Sequence, residues 1–238
     1  MQPFIPFGFS HWVVLALTLA GSLLLGLLAR RTTDETRRVL RLLLAVLLIL
    51  NWIALTGIFA AKGWTTRGNI LPMQLCDWAT IAVLITLIRP SPLPYALGYF
   101  WALGGTLQGL LSPSAVTRDF PDMAFILFFS FHMLILIAVG FLTLGCRMRP
   151  TPYILPRVVL WSLIYMAAAG VVNVMLGTNY GFLAEKPPSP TPYDLMPDWP
   201  FYLPVVVVLG TASIGLYYAP FFIADLRKAR ARRKAQNS

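Results

Sequence analysis

Charge is what this sequence has least of. Of its 238 residues only 12% are Asp, Glu, Lys or Arg, whereas 58% are hydrophobic and mean hydropathy is +0.71. A soluble domain of this length rarely has such a composition; a polytopic membrane protein does. Histidine and cysteine are nearly missing as well, with two of each. They supply no pair at ligand spacing such as H-x-x-x-H or C-x-x-C, which argues against a metal or haem centre, and no cofactor is expected. No G-x-S-x-G, Walker or dinucleotide fingerprint occurs either. Cys76 and Cys146 fall at opposite ends of their predicted spans. A disulfide needs Cα atoms within about 7 Å, so Cys76 is expected to be free.

What the chain does have is long apolar runs. Crossing the hydrocarbon core takes roughly 20 mostly apolar residues. Seven runs qualify, at approximately 9–29, 38–61, 70–88, 95–111, 122–145, 157–176 and 200–226, the fourth being the shortest and most Gly-rich. The net charge of +10 is distributed unevenly over the resulting loops. Fifteen Lys and Arg fall on one side of a seven-span chain and four (Lys62, Arg67, Arg118 and Lys186) on the other. This asymmetry predicts an outside N-terminus and a cytoplasmic C-terminus, and an even number of spans would destroy it. The expected fold is therefore all-α, a single seven-helix transmembrane domain over 1–226 with a basic cytoplasmic tail over 227–238. That tail, "RKARARRK", is expected to meet anionic lipid headgroups and not nucleic acid. "MQPFIPFGFSHW" carries no Lys or Arg, so the first run reads as a span inserted N-terminus out and not as a cleavable signal.

The polar residues inside these runs gather in their outer halves. "LPMQLCDW" (71–78) opens the third run, placing Cys76 roughly 9 Å below its outer end at 1.5 Å per residue. By the same rise His132 lies roughly 15 Å below the outer end of the fifth run. Asn51, Gln108 and Asn173 are also outer-half residues. The set predicts an outward-facing polar cavity, because such groups are costly in lipid without a partner or a use. Asn51, Gln108 and Asn173 read more readily as interhelical hydrogen-bond links than as catalysts. His11 is expected in the interface beside Trp12, and Asp77 either caps its helix or pairs with Arg67. "GYFWALGG" reads as a packing stripe of small residues. An intramembrane histidine is a functional candidate by default, and Cys76 with His132 is a stronger signal than either alone. The long outer connection at 177–200 holds five Pro between 187 and 197 and reads as an extended segment laid over the outer face.

Five ordered motifs carry a family resemblance. "LPMQLCDW", "YFWALGGTLQGLLSP" (99–113), "FFSFH" (128–132), "NVMLGTNYGFLAEKP" (173–187) and "DWPFY" (198–202) resemble the bacterial YwaF-type integral membrane proteins. These are relatives of the animal transmembrane protein 164 acyltransferase. The resemblance covers nearly the whole chain and implies a catalytic Cys–His pair at Cys76 and His132. Two positions depart from the family pattern. Met133 follows the histidine where Gly is common, and Pro197-Asp198 stands where Gly-Pro usually precedes the last Trp-Pro.

The resemblance implies a multi-pass protein of the bacterial cytoplasmic membrane that acts as a lipid acyltransferase or acyl hydrolase, with a phospholipid or lysophospholipid as substrate. Cys76 is then the nucleophile and His132 the base. Gln74, Gln108 or Asn173 would donate to the oxyanion, and Asp77, Asn179 and Tyr180 join the substrate-binding set. Trp199 and Tyr202 border the lipid entrance. Composition and spacing alone leave two alternatives. One is a small-molecule transporter or ligand-binding membrane protein that uses the same cavity without covalent chemistry. The other is a structural protein in which neither residue matters.

Overall fold

A computed structural model describes residues 2–188 and 191–236. Among these residues the chain is all-helical: no β-strand occurs, and one isolated bridge joins Pro3 to Arg118. The elements are α1 (Phe9–Ala29), α2 (Asp34–Ala61), α3 (Leu75–Ile88), α4 (Pro92–Trp101), α5 (Leu107–Leu111), α6 (Met123–Gly140), α7 (Leu155–Leu176) and α8 (Tyr202–Gln236). A π-helical turn at Ala102–Thr106 makes α4 and α5 one continuous rod, and a second, Phe141–Gly145, prolongs α6. Five helices are long and apolar enough to cross a membrane: Phe9–Ala29, Asp34–Ala61, Met123–Gly145, Pro152–Leu176 and Tyr202–Arg233. The protein is thus a multi-pass helical membrane protein.

The helix boundaries follow from local chemistry. Thr33 caps α2, its hydroxyl accepting the Thr36 N–H at 3.2 Å, and Asp34 and Glu35 complement the helix dipole. Asp122 caps α6 in the same way through the Ala124 N–H at 2.9 Å. Pro92 and Pro156 occupy first-turn positions of α4 and α7, where the missing N–H costs nothing. Gly177, at φ +62°, closes α7 in the left-handed conformation. Two runs differ from expectation. The third is helical only from Leu75, because residues before it are held in a loop. The last continues helical past 226 to Gln236, so the basic stretch is carried on α8.

Helix α6 is the hub. In its most apolar window 61% of residues are buried, against 22% for α1, 17% for α2 and 6% for α8. The α1–α6 seam is closed by small residues. A Cβ on Gly26 would lie 2.7 Å from the Leu144 Cβ, and one on Gly140 would lie 2.7 Å from the Ser22 Cβ. Between helices in lipid, close backbone approach of this kind substitutes for the missing hydrophobic drive. On the other flank α2 packs against α6 and α3, and α3 against α4. Asn51 on α2 donates to the Ser130 hydroxyl on α6 at 2.8 Å, which is an interhelical link. At the basic end, Arg149 grips the Asp225 carboxylate and so ties the α6–α7 connection to α8.

Candidate functional site

Helix α3 begins where its capping chemistry allows. The Asp77 carboxylate accepts the Gln74 N–H at 3.0 Å, making Asp77 a cap and not a partner of Arg67. Cys76 therefore stands in the first turn of α3, half-buried at the edge of the main core, and its carbonyl accepts the Thr80 hydroxyl at 2.8 Å. Leu75 beside it packs into the space left by Gly105, where a Cβ would come within 2.8 Å.

This first turn is moored from outside. The Gln74 Oε1 accepts the Gly181 N–H at 3.1 Å, and the Tyr165 hydroxyl on α7 donates to the Met73 carbonyl at 3.2 Å. Tyr180, fully buried, donates its hydroxyl to the Arg67 carbonyl at 2.6 Å and accepts the Leu71 N–H at 3.1 Å. Gly181 is required twice over. Its φ is +66°, and any Cβ would meet the Tyr165 hydroxyl at 2.6 Å.

The loop that supplies these contacts is itself stitched together by other candidate residues. Asn173 donates to the Tyr180 carbonyl at 3.0 Å and accepts both the Tyr180 N–H at 2.7 Å and the Thr178 hydroxyl at 3.0 Å. Asn179 accepts from Ala184 and Glu185 N–H groups and donates to the Glu185 carbonyl. Tyr202, buried, donates to the Phe182 carbonyl at 2.6 Å, and Trp199 donates to the Leu183 carbonyl at 3.2 Å. These side chains thus spend their polar atoms on fastening the segment between α7 and α8. With one amide N–H given to the Tyr180 carbonyl and its Oδ1 accepting twice, Asn173 is a clasp of that loop. Gln108 is exposed on α5, outside this cluster. Residues 189 and 190 of the Pro-rich connection lie outside the described residues.

His132 has a different environment. It is 6% exposed on α6, stacked on Phe128 at 4.2 Å between ring centroids and met edge-on by Phe131. Its Nδ1 lies 2.8 Å from the Phe128 carbonyl. A carbonyl can only accept, so Nδ1 carries the hydrogen and Nε2 is left with a lone pair. That nitrogen faces Gly109 of α5, where a Cβ would come within 3.0 Å. Helices α3 and α6 pack directly against each other.

Sequence reasoning missed three contributors: the Phe128 carbonyl that sets the tautomer, Gly109 that makes room for the imidazole, and Tyr165 that holds the start of α3. Gly109 stood in plain view within the motif at 99–113, where no role was given to it. His11 was misplaced in the other direction. It is fully buried: its Nδ1 accepts the Phe7 N–H at 2.8 Å and its Nε2–H donates to the Leu110 carbonyl at 2.8 Å. Among the described residues two buried polar atoms lack a partner, the Thr106 hydroxyl in the π turn and the Asn51 Oδ1. No group of three or more His, Cys, Asp or Glu that would hold a metal ion occurs among the described residues.

Comparison with known proteins agrees with this architecture. The sequence profile of the TMEM164 family matches residues 6–218. An uncharacterized protein of Treponema pallidum (strain Nichols) is 29% identical over 187 residues, covering 77% of this chain and 76% of its own. No solved structure matches. With the profile running from before α1 to within α8, the chain belongs to the TMEM164 family.

Proposed function

We propose that this chain is a lipid acyltransferase or acyl hydrolase of the bacterial cytoplasmic membrane, with Cys76 as nucleophile and His132 as base. The observation that carries the reading is the His132 ring: buried, hydrogen-bonded through Nδ1 to a backbone carbonyl, with Nε2 unprotonated. The Cys76 thiol gives its proton to Nε2 as the sulfur attacks the ester carbonyl of a phospholipid. The tetrahedral oxyanion collapses, the C–O bond breaks, and the imidazolium returns the proton to the departing lysolipid alkoxide. A lysolipid hydroxyl or water, deprotonated by the same nitrogen, then attacks the thioester and regenerates the thiol. Gln74 suits the oxyanion role best, since its Oε1 is held by Gly181 and its amide N–H groups remain to donate, a contribution of about 3–4 kcal/mol in such sites.

The reading also takes the chain as seven spans with the N-terminus outside. At 1.5 Å per residue α3 covers only about 21 Å of a roughly 30 Å core, and the moored loop above it makes up the remainder. The lopsided distribution of Lys and Arg supports the odd count. The test is an acyl-donor incubation of purified protein with intact-mass detection. A hydroxylamine-sensitive acyl adduct on Cys76, lost in Cys76→Ala and in His132→Ala, is the expected result. An acyl-transfer activity that survives Cys76→Ala would sink the mechanism.

A further inference from the structure

Below His132 the bundle contains an apolar groove of about 340 Å³ between α1, the α4–α5 rod and α6. On α6 its wall is Leu136, Val139, Gly140 and Thr143. Extended by one turn, that stripe reaches His132, four residues before Leu136 and so on the same helix face. On the opposing rod the wall is Leu103, Leu107 and Leu110, the last of these next to Gly109, which His132 Nε2 faces. The groove's end at Leu136 thus lies one helical turn from His132, and from there the groove descends towards the basic end of the bundle.

Its chemistry restricts the occupant. Every hydroxyl along the groove is already used. Thr18 donates to the Val14 carbonyl, Ser22 to that of Thr18, Thr143 to that of Val139, and Tyr99 to that of Tyr217. No hydroxyl donor along the groove is left for a polar ligand, and the rest of its wall is mainly aliphatic. From Tyr99 to Leu110 the groove is roughly 16 Å long. Dividing 340 Å³ by roughly 16 Å leaves a cross-section near 20 Å², room for one hydrocarbon chain.

We infer that this groove is the acyl-chain site of the lipid whose ester reacts at His132, seating one chain along the α6 stripe with its carbonyl end uppermost. The assignment rests on the acyl-transfer reading for its role, though not for its occupancy. The groove then acts as a ruler, favouring chains long enough to fill it over short ones. Leu19, 62% exposed at the groove's open side, is where that ruler is most easily shortened without touching the core.

The experiment has two arms. In the first, wild-type protein is reconstituted with a phosphatidylglycerol carrying a diazirine midway along one chain, irradiated and mapped by peptide mass spectrometry. Label on Leu103, Leu107, Leu136 or Val139 is expected; label confined to belt residues such as Leu28 and Leu43 overturns the groove. In the second, the ratio of long-chain to butanoyl adduct on Cys76 is compared between wild type and Leu19→Trp. A fall of about tenfold in that ratio is expected, and an unchanged ratio overturns the ruler. The two readings fail separately. Groove labelling with no Cys76 adduct in wild type removes the chemistry and leaves the lipid site. An adduct without groove labelling does the reverse.

Discussion

The chain's two histidines are both buried, and they are used in opposite ways. His11, between the start of α1 and α5, has both ring nitrogens engaged, one accepting from Phe7 and one donating to Leu110. His132, on α6, has one nitrogen tied to a backbone carbonyl and the other facing a glycine. Burial alone therefore does not identify a reactive histidine. What separates them is whether a lone pair remains and whether the neighbouring backbone leaves space in front of it. By that measure His11 is a latch, whereas His132 keeps the lone pair that the proposed base role requires.

The largest effect should come from removing the base. His132→Ala is expected to lower acyl-adduct formation on Cys76 by about 10²- to 10⁴-fold, the usual size of general-base assistance. Thermal unfolding of the detergent-solubilised protein should move much less. His11→Phe should invert this pattern. It orphans the buried Leu110 carbonyl at a cost of about 1–3 kcal/mol, which should appear as a lower Tm while adduct formation persists in the folded fraction. If His11→Phe abolished the adduct and left the Tm alone, the two histidines would have been assigned the wrong way round.

The contrast between the histidines was only half legible in the sequence. The apolar runs located the long helices, because hydropathy at this length is a strong signal and the bilayer leaves few alternatives. Depth along each run singled out Cys76 and His132. Depth says nothing about which way a side chain's lone pairs point. So Asn179 and Tyr180, read as substrate-binding, and Trp199 and Tyr202, read as bordering the lipid entrance, have polar atoms bonded to backbone groups, as does Asn173, read first as a hydrogen-bond link. His11 was read as interfacial beside Trp12, and in the fold Phe4 and Phe7 of the N-terminal stretch and Phe129 of α6 pack against the imidazole. The two π turns left no trace in the hydropathy pattern, since one extra residue in a turn does not change composition.

Gly109 offers a finer way to sharpen the comparison, with His132 left intact. Its Cβ position lies 3.0 Å from Nε2 and 3.2 Å from Cδ2 of His132. The ring cannot easily retreat, being held by the Phe128 carbonyl and stacked on the Phe128 ring. Gly109→Ala should therefore crowd the lone pair and cut adduct formation by about tenfold, equivalent to about 1.4 kcal/mol. Stability should hold or rise slightly, since Ala is the better helix former by up to about 1 kcal/mol. Loss of activity with a preserved Tm is the diagnostic combination. A fully active Gly109→Ala would mean that the nitrogen has room to spare and that the glycine serves packing alone.

The smallest effect tests the clasp above Cys76. Tyr180→Phe keeps the buried ring but removes one hydroxyl that bridges the Arg67 carbonyl and the Leu71 N–H. Each net hydrogen bond is worth about 1 kcal/mol, so the Tm should fall by a few degrees at most. If the loop serves to hold the start of α3, the thiol itself should report the change. Alkylation of Cys76 by a water-soluble maleimide should quicken several-fold in Tyr180→Phe, while that of Cys146, at the far end of α6, should not change. Cys146 is the internal control because it shares no hydrogen bond with the 177–183 loop. Equal acceleration at both cysteines would point to general loosening of the bundle. An unchanged rate at Cys76 would show that Gln74 and Tyr165 hold the helix start without help from Tyr180.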